Sequence, residues 1–517
     1  MITSRLKSGA SLPEFTRSAN PSIGALAPRL SWARWPAFII IALIGLAVRL
    51  PQLGARPMHT DEAINGYIVG QLLHGESFTY DPQDRHGPAL AALALPLARM
   101  QGARSFSDLT ESELRTTTVV AGTITILLFG AAADMFGVVP CLLAALLFAV
   151  APLPVYYDRY FIHESLFCAA TFALILSSWH AFNRRSTGYA ALAGACVALM
   201  VACKETAILH LFALIVAALV FNAWGLRGKS FTKSFGPGPL LAGVSTFLAL
   251  IVILFTWFGR NWKSFFALWR VAPNVFARSA GQGHEQPFWY FGRLLVGGWS
   301  GGLLVGLACL GLFIAFRKRD ASVYQFLAYY GLLVAAIYSL IPYKTPWLAL
   351  NLWPPLALLA AMAVESVWFR AEKRFGRHAA VLFFCIAAML LGVLIAHDTR
   401  QRVFLAPTDE NNPYAYAHTS DDLLGLPDEI ADAARREGIS TPRIAVIASD
   451  PWPLPWYLRR FQQVGFWQPG QRVGDADFYV TSTEAADQYA ETLHGFRPDF
   501  FGSRPGVLIL LWLPERK

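Results

Sequence analysis

The sequence predicts an α-helical polytopic membrane protein with a small α/β domain at its C-terminal end. Three observations predict it. The 517 residues are 55% hydrophobic and only 15% charged, whereas soluble domains average about 25% charged. Apolar runs close to the ~20 residues needed to cross a bilayer alternate with short polar stretches. This alternation stops near residue 397, after which Asp and Glu become frequent and no run is long enough to span.

The apolar runs predict eleven spans, over 36–50, 116–133, 136–153, 159–180, 188–203, 206–225, 238–258, 294–316, 323–342, 345–366 and 378–396. Charge sets their direction. If the tail bearing Arg5, Lys7, Arg17, Arg29 and Arg34 is cytoplasmic, the even-numbered spans end at loops holding Arg184 and Arg185, Arg227, Lys229 and Lys233, Arg317, Lys318 and Arg319, and Arg370, Lys373, Arg374 and Arg377. That distribution satisfies the positive-inside rule; the turn near Asp134 is too short to contribute. Residues 87–101 (GPALAALALPLARMQ) would invert this order if they crossed. They are short and contain Pro88 and Pro96, so they read as a re-entrant or surface-lying helix.

The predicted layout is a cytoplasmic N-terminal tail over 1–35, a transmembrane domain over 36–396 and an extracytoplasmic α/β domain over 397–517, in the plasma or inner membrane. Two loops, 51–115 and 259–293, are external. In the first, Ile64, Tyr67, Ile68 and Leu72 form a helical stripe, expected to lie in the membrane interface. The second carries Trp- and Phe-rich runs typical of an aromatic belt. In the tail, RIAVIA, DFYVTS and VLILLWLP read as strands, and DDLLGLPDEIADAARREG and TEAADQYAETLHG as helices.

Composition excludes several functions. The net charge of +9 resides in short loops and the N-terminal tail, where topology requires it, so no nucleic-acid partner is indicated. Cys141, Cys168, Cys196, Cys203, Cys309 and Cys385 fall in or beside apolar runs without metal-ligand spacing. The first apolar run has no small-residue cleavage site and reads as an uncleaved span.

In this topology the notable charged motifs converge on the external face. They are HTDEA (59–63), QDRHGP (83–88), YYDRYFIHES (156–165), CKET (203–206), GHEQP (283–287) and IPYKTPW (341–347). Each has a bland reading. Asp61 and Glu62 suit the first turn of a helix capped by Thr60; Lys204 with Glu205, and Asp158 with Arg159, could be structural ion pairs. His59, His86, His163 and His284 are the kind of histidines that more often pack or hydrogen-bond than ligate. Together they fit one chemistry. A lipid-linked sugar phosphate needs cations, for which Arg85, Arg159, Lys204 and Lys344 are candidates, and an apolar groove for its tail. It also needs a carboxylate base, for which Asp61, Glu62, Asp158 and Glu164 are candidates. Glu205 and Glu285 lie in the same motifs. Asp61, Glu62, His163 and Glu164 could also approach one another around a divalent cation such as Mg or Mn, which prefers oxygen ligands, with Asp61 and Glu164 as the metal candidates.

The motif set resembles the membrane-embedded glycosyltransferases of the GT-C fold. Relatives include the protein O-mannosyltransferases, the lipid A aminoarabinose transferases and, nearest, an archaeal and bacterial group labelled flippase-associated. HTDEA, RHGP, YYDRYFIHES, KET, HEQPFWY, YKTPWL, NPYAY and WPLPWYLR carry the resemblance, over about residues 36–470. It implies a GT-C architecture and an inverting single displacement on a polyprenyl-phosphate sugar, with a protein, lipid or glycan acceptor of the cell envelope. By the same resemblance, Asp61 is the base or a metal-associated acid, Arg85 a cation before a proline, and Tyr343 with Lys344 the loop that contacts the carrier phosphate. Glu164 stands where the mannosyltransferases more often have Asp.

Two other classes remain open from sequence: a non-catalytic flippase for the lipid-linked sugar, and an assembly partner. Few ionisable groups fall at mid-depth in the spans, which favours transfer over translocation. WPLPWYLRR (452–460) reads as a Pro-rich turn with core aromatics, or else as an acceptor-binding surface.

Overall fold

The computed structural model describes residues 33–225, 236–271, 283–317 and 323–515. Most of the N-terminal tail, and the loop cations Arg227, Lys229, Lys233, Lys318 and Arg319, lie outside these residues.

A helix stands at each expected span. They are α1 (Trp35–Arg49), α4 (Glu111–Phe136), α5 (Val138–Val150) continued by α6 (Pro152–Asp158), α7 (Glu164–Arg184), α8 (Thr187–Cys203) and α9 (Ala207–Gly225), then α10 (Pro237–Phe255), α11 (Gly298–Arg317), α12 (Val323–Leu340), α13 (Trp353–Phe375) and α14 (Arg377–Thr399). Seven of them are long and apolar enough to cross a bilayer, and α5 with α6 makes an eighth, bent by 60°. The bend falls at Ala151, which is extended ahead of Pro152, as the residue before a proline prefers. α1, α8 and the described part of α9 are shorter apolar helices.

Packing grades the helices. The span window containing α13 is 89% buried, whereas those of α10 and α14 are 11% buried; α13 is central and the other two face outward. Glycine sets the closest crossings. A Cβ on Gly194 of α8 would lie 2.0 Å from the Gly243 carbonyl of α10, and one on Gly311 of α11 would lie 2.0 Å from the Leu359 carbonyl of α13. Small residues let membrane helices approach this closely.

Between α1 and α4 the chain forms α2 (Thr60–Leu73) and α3 (Ala89–Met100). α3 occupies the stretch expected to form a non-spanning helix and has 12 residues with Pro96 inside it. The expected lipid-facing stripe of α2 is corrected: Ile68 and Leu72 are buried, packed into a protein core that also contains α3 and the C-terminal unit. Tyr67 alone of the stripe is exposed, at 39%.

The C-terminal unit is a five-stranded sheet of order β2-β1-β3-β5-β4. β1 (Arg443–Ile447), β3 (Phe478–Ser482) and β5 (Val507–Pro514) are the three expected strands; β2 (Gln463–Trp467) and β4 (Phe496–Arg504) are the edges. β1 pairs parallel to β2 and β3, and β5 runs antiparallel to β3 and β4. The helix expected at 421–438 forms as a 3-10 turn and α15 (Leu426–Arg436). The one expected at 483–495 breaks after one turn.

This unit grips the loop that leads into α2. Trp456 is fully buried, donates its indole N–H to Glu111 at 2.7 Å and packs where a Cβ on Gly66 would be 2.7 Å from its ring. Arg459 stacks on it at 3.8 Å. The Met58 N–H donates to the Tyr457 hydroxyl at 2.8 Å, and the Thr419 hydroxyl donates to the Met58 carbonyl at 2.6 Å. WPLPWYLRR is therefore an anchor at Trp456 and Tyr457.

The glycine crossings yield a prediction. Gly194→Val and Gly311→Val should each lower the thermal unfolding midpoint in detergent, at an overpacking cost of about 1–3 kcal/mol. Gly306→Ala, where an added Cβ meets nothing within 4 Å, should leave the midpoint unchanged or raise it.

Candidate active site

Arginines fix the frame around the site. Arg49, at the end of α1, is fully buried. It donates to Asp158 at 2.9 Å and to the carbonyls of Ala149 and Phe148 at 2.7 and 3.0 Å. Asp158 also accepts from the Ser165 hydroxyl at 2.7 Å and fills the space that a Cβ on Gly122 would need. The next residue, Arg159, donates to the carbonyls of Arg49, Pro51 and Gln52 at 2.5, 2.6 and 3.0 Å and lies over the Phe404 ring. Asp158 and Arg159, expected in the site, thus each bind a different partner and knit α1, α5 and α7 together.

Glu62 is also withdrawn from the site. It is fully buried, and Arg115 donates to both of its oxygens at 2.8 Å. The Phe161 and His59 N–H groups complete the set at 2.8 and 3.1 Å. Arg115 in turn binds the carbonyls of Leu53, Arg56 and Pro57. Burial alone would raise the Glu62 pKa, but Arg115, Arg56 and these hydrogen bonds hold it at about 2. A carboxylate held this way is not available as a base.

The same contacts start α2. His59, not Thr60, is its N-cap and takes the Asp61 N–H on Nδ1 at 3.1 Å, closing a capping box with Glu62. The imidazole is buried against Tyr160, Trp347 and His418, and burial lowers its pKa toward the neutral form. With Glu62 turned inward, the neighbouring Asp61 is half-buried on the wall of a cavity of about 130 Å³.

The opposite wall comes from CKET and QDRHGP. Lys204 binds Glu164; burial alone would lower the Lys204 pKa, but Glu164 raises it and keeps the ammonium charged. Glu205 accepts from the Tyr80 hydroxyl at 3.1 Å and bonds His86 Nδ1 at 2.8 Å. Burial opposes its charge, and His86 overcomes that opposition, leaving its pKa at about 2. His86 stacks edge-on against buried His163 at 5.1 Å; burial drives the His163 pKa well down. Arg85 pairs with its neighbour Asp84 at 2.9 Å and lines a small adjoining crevice with His86 and His163.

The third wall is the loop before α13. Glu285 bridges Tyr343 as an antiparallel pair, the Lys344 N–H donates to the His284 carbonyl at 3.0 Å, and the Gln286 N–H donates to the Pro342 carbonyl at 3.2 Å. His284 binds the Tyr416 hydroxyl at 2.6 Å and contacts the Tyr343 ring. Lys344 directs its ammonium to the Gln286 and Ile341 carbonyls at 2.8 and 2.7 Å, which orders the loop. Glu285 itself is exposed.

The cavity therefore brings together Asp61, His86, Lys204, Glu205 and Tyr343. Glu164 reaches it through Lys204. Thr206, Tyr338, Thr345 and Trp347 line it as well. Thr206, Thr345 and Trp347 lie within the CKET and IPYKTPW motifs, while Tyr338 sits in an apolar run that gives no signal. Among the described residues no three His, Cys, Asp or Glu side chains come together to hold a metal ion. Glu164 is engaged by Lys204, so the expected Asp61–Glu164 pair forms no ready cage for a divalent cation.

A separate apolar groove of about 700 Å³ runs between α7, α8, α9 and α10 and reaches Met135 of α4 and Phe326 of α12. α9 lines both spaces: Leu209 faces the cavity, and Leu211, Leu214, Ile215 and Ala218 face the groove.

Residues 102–257 match the family model described as dolichyl-phosphate-mannose-protein mannosyltransferase. Among solved structures, the chain is similar to ArnT from Cupriavidus metallidurans in the apo state, with TM-score 0.63 and 16% identity over 93% of this chain and 98% of that one. Against ArnT bound to undecaprenyl phosphate the TM-score is 0.60 at 16% identity, over 94% and 98%. The chain has the GT-C glycosyltransferase fold. The archaeal oligosaccharyltransferase AglB from Archaeoglobus fulgidus, in complex with an inhibitory peptide and a dolichol-phosphate, matches at TM-score 0.55 and 13% identity, over 93% and 74%. The family-model match and the fold both accord with the resemblance to GT-C glycosyltransferases carried by the motifs. No curated protein matches the chain by sequence. The family-model match includes Glu164, Lys204 and Glu205 but not Asp61, His86 or Tyr343.

Glu62→Gln should destabilise the protein by about 3–5 kcal/mol, because it leaves Arg115 buried without its counter-charge. The Glu62 pKa is depressed on folding, so its contribution to stability is full above the ordinary carboxylate range. It is lost as pH falls from that range toward 2. Thermal melts of wild type and Glu62→Gln should converge as pH is lowered through this window.

Proposed function

We propose that this protein transfers a sugar from a polyprenyl-phosphate carrier to a protein, lipid or glycan acceptor at the extracytoplasmic face of the membrane. One observation carries the reading: a polar cavity with an acid and a cation on its walls shares α9 with an apolar groove between the helices. A lipid-linked sugar phosphate has that same division, with a charged head and an apolar tail. The positive-inside pattern supports a cytoplasmic N-terminus, which leaves the cavity and the C-terminal sheet outside.

In the proposed step Asp61 accepts the proton of the acceptor nucleophile. That nucleophile attacks the anomeric carbon, the bond from that carbon to the phosphate oxygen breaks, and polyprenyl phosphate departs with inversion. Lys204, kept charged by Glu164 and with His86 beside it on the cavity wall, supports the charge that builds on the leaving phosphate. Tyr343, on the third wall, is a further contact for it. Arg85 lies beside the cavity and could meet the donor at its rim. Lys344 and Arg159 act on the loops. No metal is invoked. The acids stand at the ends of the spans and few ionisable groups lie at mid-depth, which favours transfer over translocation.

The test uses the full chain in nanodiscs with a panel of polyprenyl-phosphate sugars and follows release of carrier phosphate. Wild type should release it with at least one sugar, and Asp61→Asn should slow release roughly 10²–10⁴-fold with thermal stability unchanged. Donor binding without release by wild type would instead favour the flippase or assembly role.

A further inference from the structure

His210 is an ionisable residue inside a membrane helix, and the step proposed above does not use it. Such residues are rare and usually functional. It is fully buried one turn into α9, its ring edge-on to Phe167 at 4.9 Å. Nδ1 lies 2.8 Å from the Tyr330 hydroxyl and Nε2 lies 2.5 Å from the Tyr338 hydroxyl. The two tyrosines differ in one respect: Tyr338 lines the cavity.

A neutral imidazole has one donor and one acceptor nitrogen, so the two bonds are coupled. When Nε2 accepts from Tyr338, Nδ1–H donates to Tyr330. When Nε2–H donates to Tyr338, Nδ1 accepts from Tyr330, and the Tyr338 proton is released to point elsewhere. The Asn351 side chain also bonds Tyr338. Beside this hydroxyl the Thr206 and Thr345 hydroxyl oxygens and Asn351 Oδ1 are buried without a partner, and Thr345 is only 2% exposed. Buried polar atoms left unpaired are costly, and a bound ligand is one way to satisfy them.

We propose that Tyr338, with the Thr206 and Thr345 hydroxyls, forms a hydrogen-bonding floor for the sugar-phosphate head, and that His210 is the positioning residue that sets the direction of the Tyr338 hydroxyl. The proposal rests on the cavity being a lipid-linked sugar site. An oxyanion of the phosphate would take the Tyr338 proton as a hydrogen bond in the tautomer with Nε2–H. A sugar hydroxyl would be accepted without needing that tautomer. The floor reads the head of the donor, while the tail lies in the groove.

The test is steady-state carrier-phosphate release by the full chain in nanodiscs. Tyr338→Phe should lower kcat/KM roughly tenfold to hundredfold, the loss expected for one hydrogen bond to a charged group. Tyr330→Phe, which removes the other bond to His210 but leaves the Tyr338 hydroxyl in place, should lower kcat/KM less than Tyr338→Phe does. His210→Asn should lower kcat/KM in the wild-type background and add nothing in the Tyr338→Phe background, because it acts through Tyr338. Thr345→Val removes an unpartnered hydroxyl from the same floor, so it should fold normally and weaken turnover even if Tyr338→Phe does not fold. Equal losses for Tyr330→Phe and Tyr338→Phe, or a full His210→Asn loss in both backgrounds, would overturn the proposal in favour of simple packing. A wild type that releases no carrier phosphate with any sugar overturns the transferase reading itself, before any variant is compared.

Discussion

The buried ion pair of Glu62 with Arg115 joins the loop after α1, the start of α2 and the top of α4. Burying a carboxylate and a guanidinium is costly unless every oxygen and N–H finds a partner. Here both carboxylate oxygens are shared between Arg115 and backbone N–H groups, and the rest of the guanidinium goes to three carbonyls. The arrangement fixes the first turn of α2 to within a side chain's freedom. Asp61 follows from it, because residues one apart on a helix point in different directions. If Glu62 faces inward to Arg115, Asp61 faces the cavity.

The C-terminal sheet matters for the same reason. Its contacts through Trp456, Tyr457 and Thr419 end on Gly66 within α2, Glu111 at the start of α4 and Met58 just before α2. A soluble-looking unit thus braces the membrane-side geometry, and its core is continuous with that of α2 and α3. Sites held on helices supported by such a second layer are more tightly placed than sites on loops alone. The ladder between 283–287 and 342–344 does the same service for Tyr343.

Much of this was legible in the sequence. Apolar runs placed a helix at all eleven span positions, because the bilayer leaves the backbone few alternatives. HTDEA, QDRHGP, CKET and IPYKTPW line one cavity, as expected of motifs that the charge pattern puts on one face, while YYDRYFIHES and GHEQP reach it only through Lys204 and Tyr343. Roles within the motifs were harder to read. Neither the Asp-Glu pair nor Asp158–Arg159 shows which member turns inward, since that depends on Arg115 and Arg49, more than fifty and a hundred positions away in sequence. The edge strands were missed for a physical reason: β4 (FRPDFFGSR) contains Pro498, which only an edge tolerates, and β2 (QVGFW) is half-exposed without clean alternation. The stripe on α2 was real, but it faced protein.

In the proposed reaction the head of the lipid-linked donor sits in the cavity between Asp61, Lys204 and Tyr343. The most direct measurement is a cryo-electron microscopy map of the full chain in nanodiscs with a non-transferable polyprenyl-phosphate sugar. Phosphate density should appear beside Lys204, with the sugar facing Asp61 and the tail entering the groove along α9. Phosphate density at Arg159 or outside the cavity, with the groove empty, would contradict that placement.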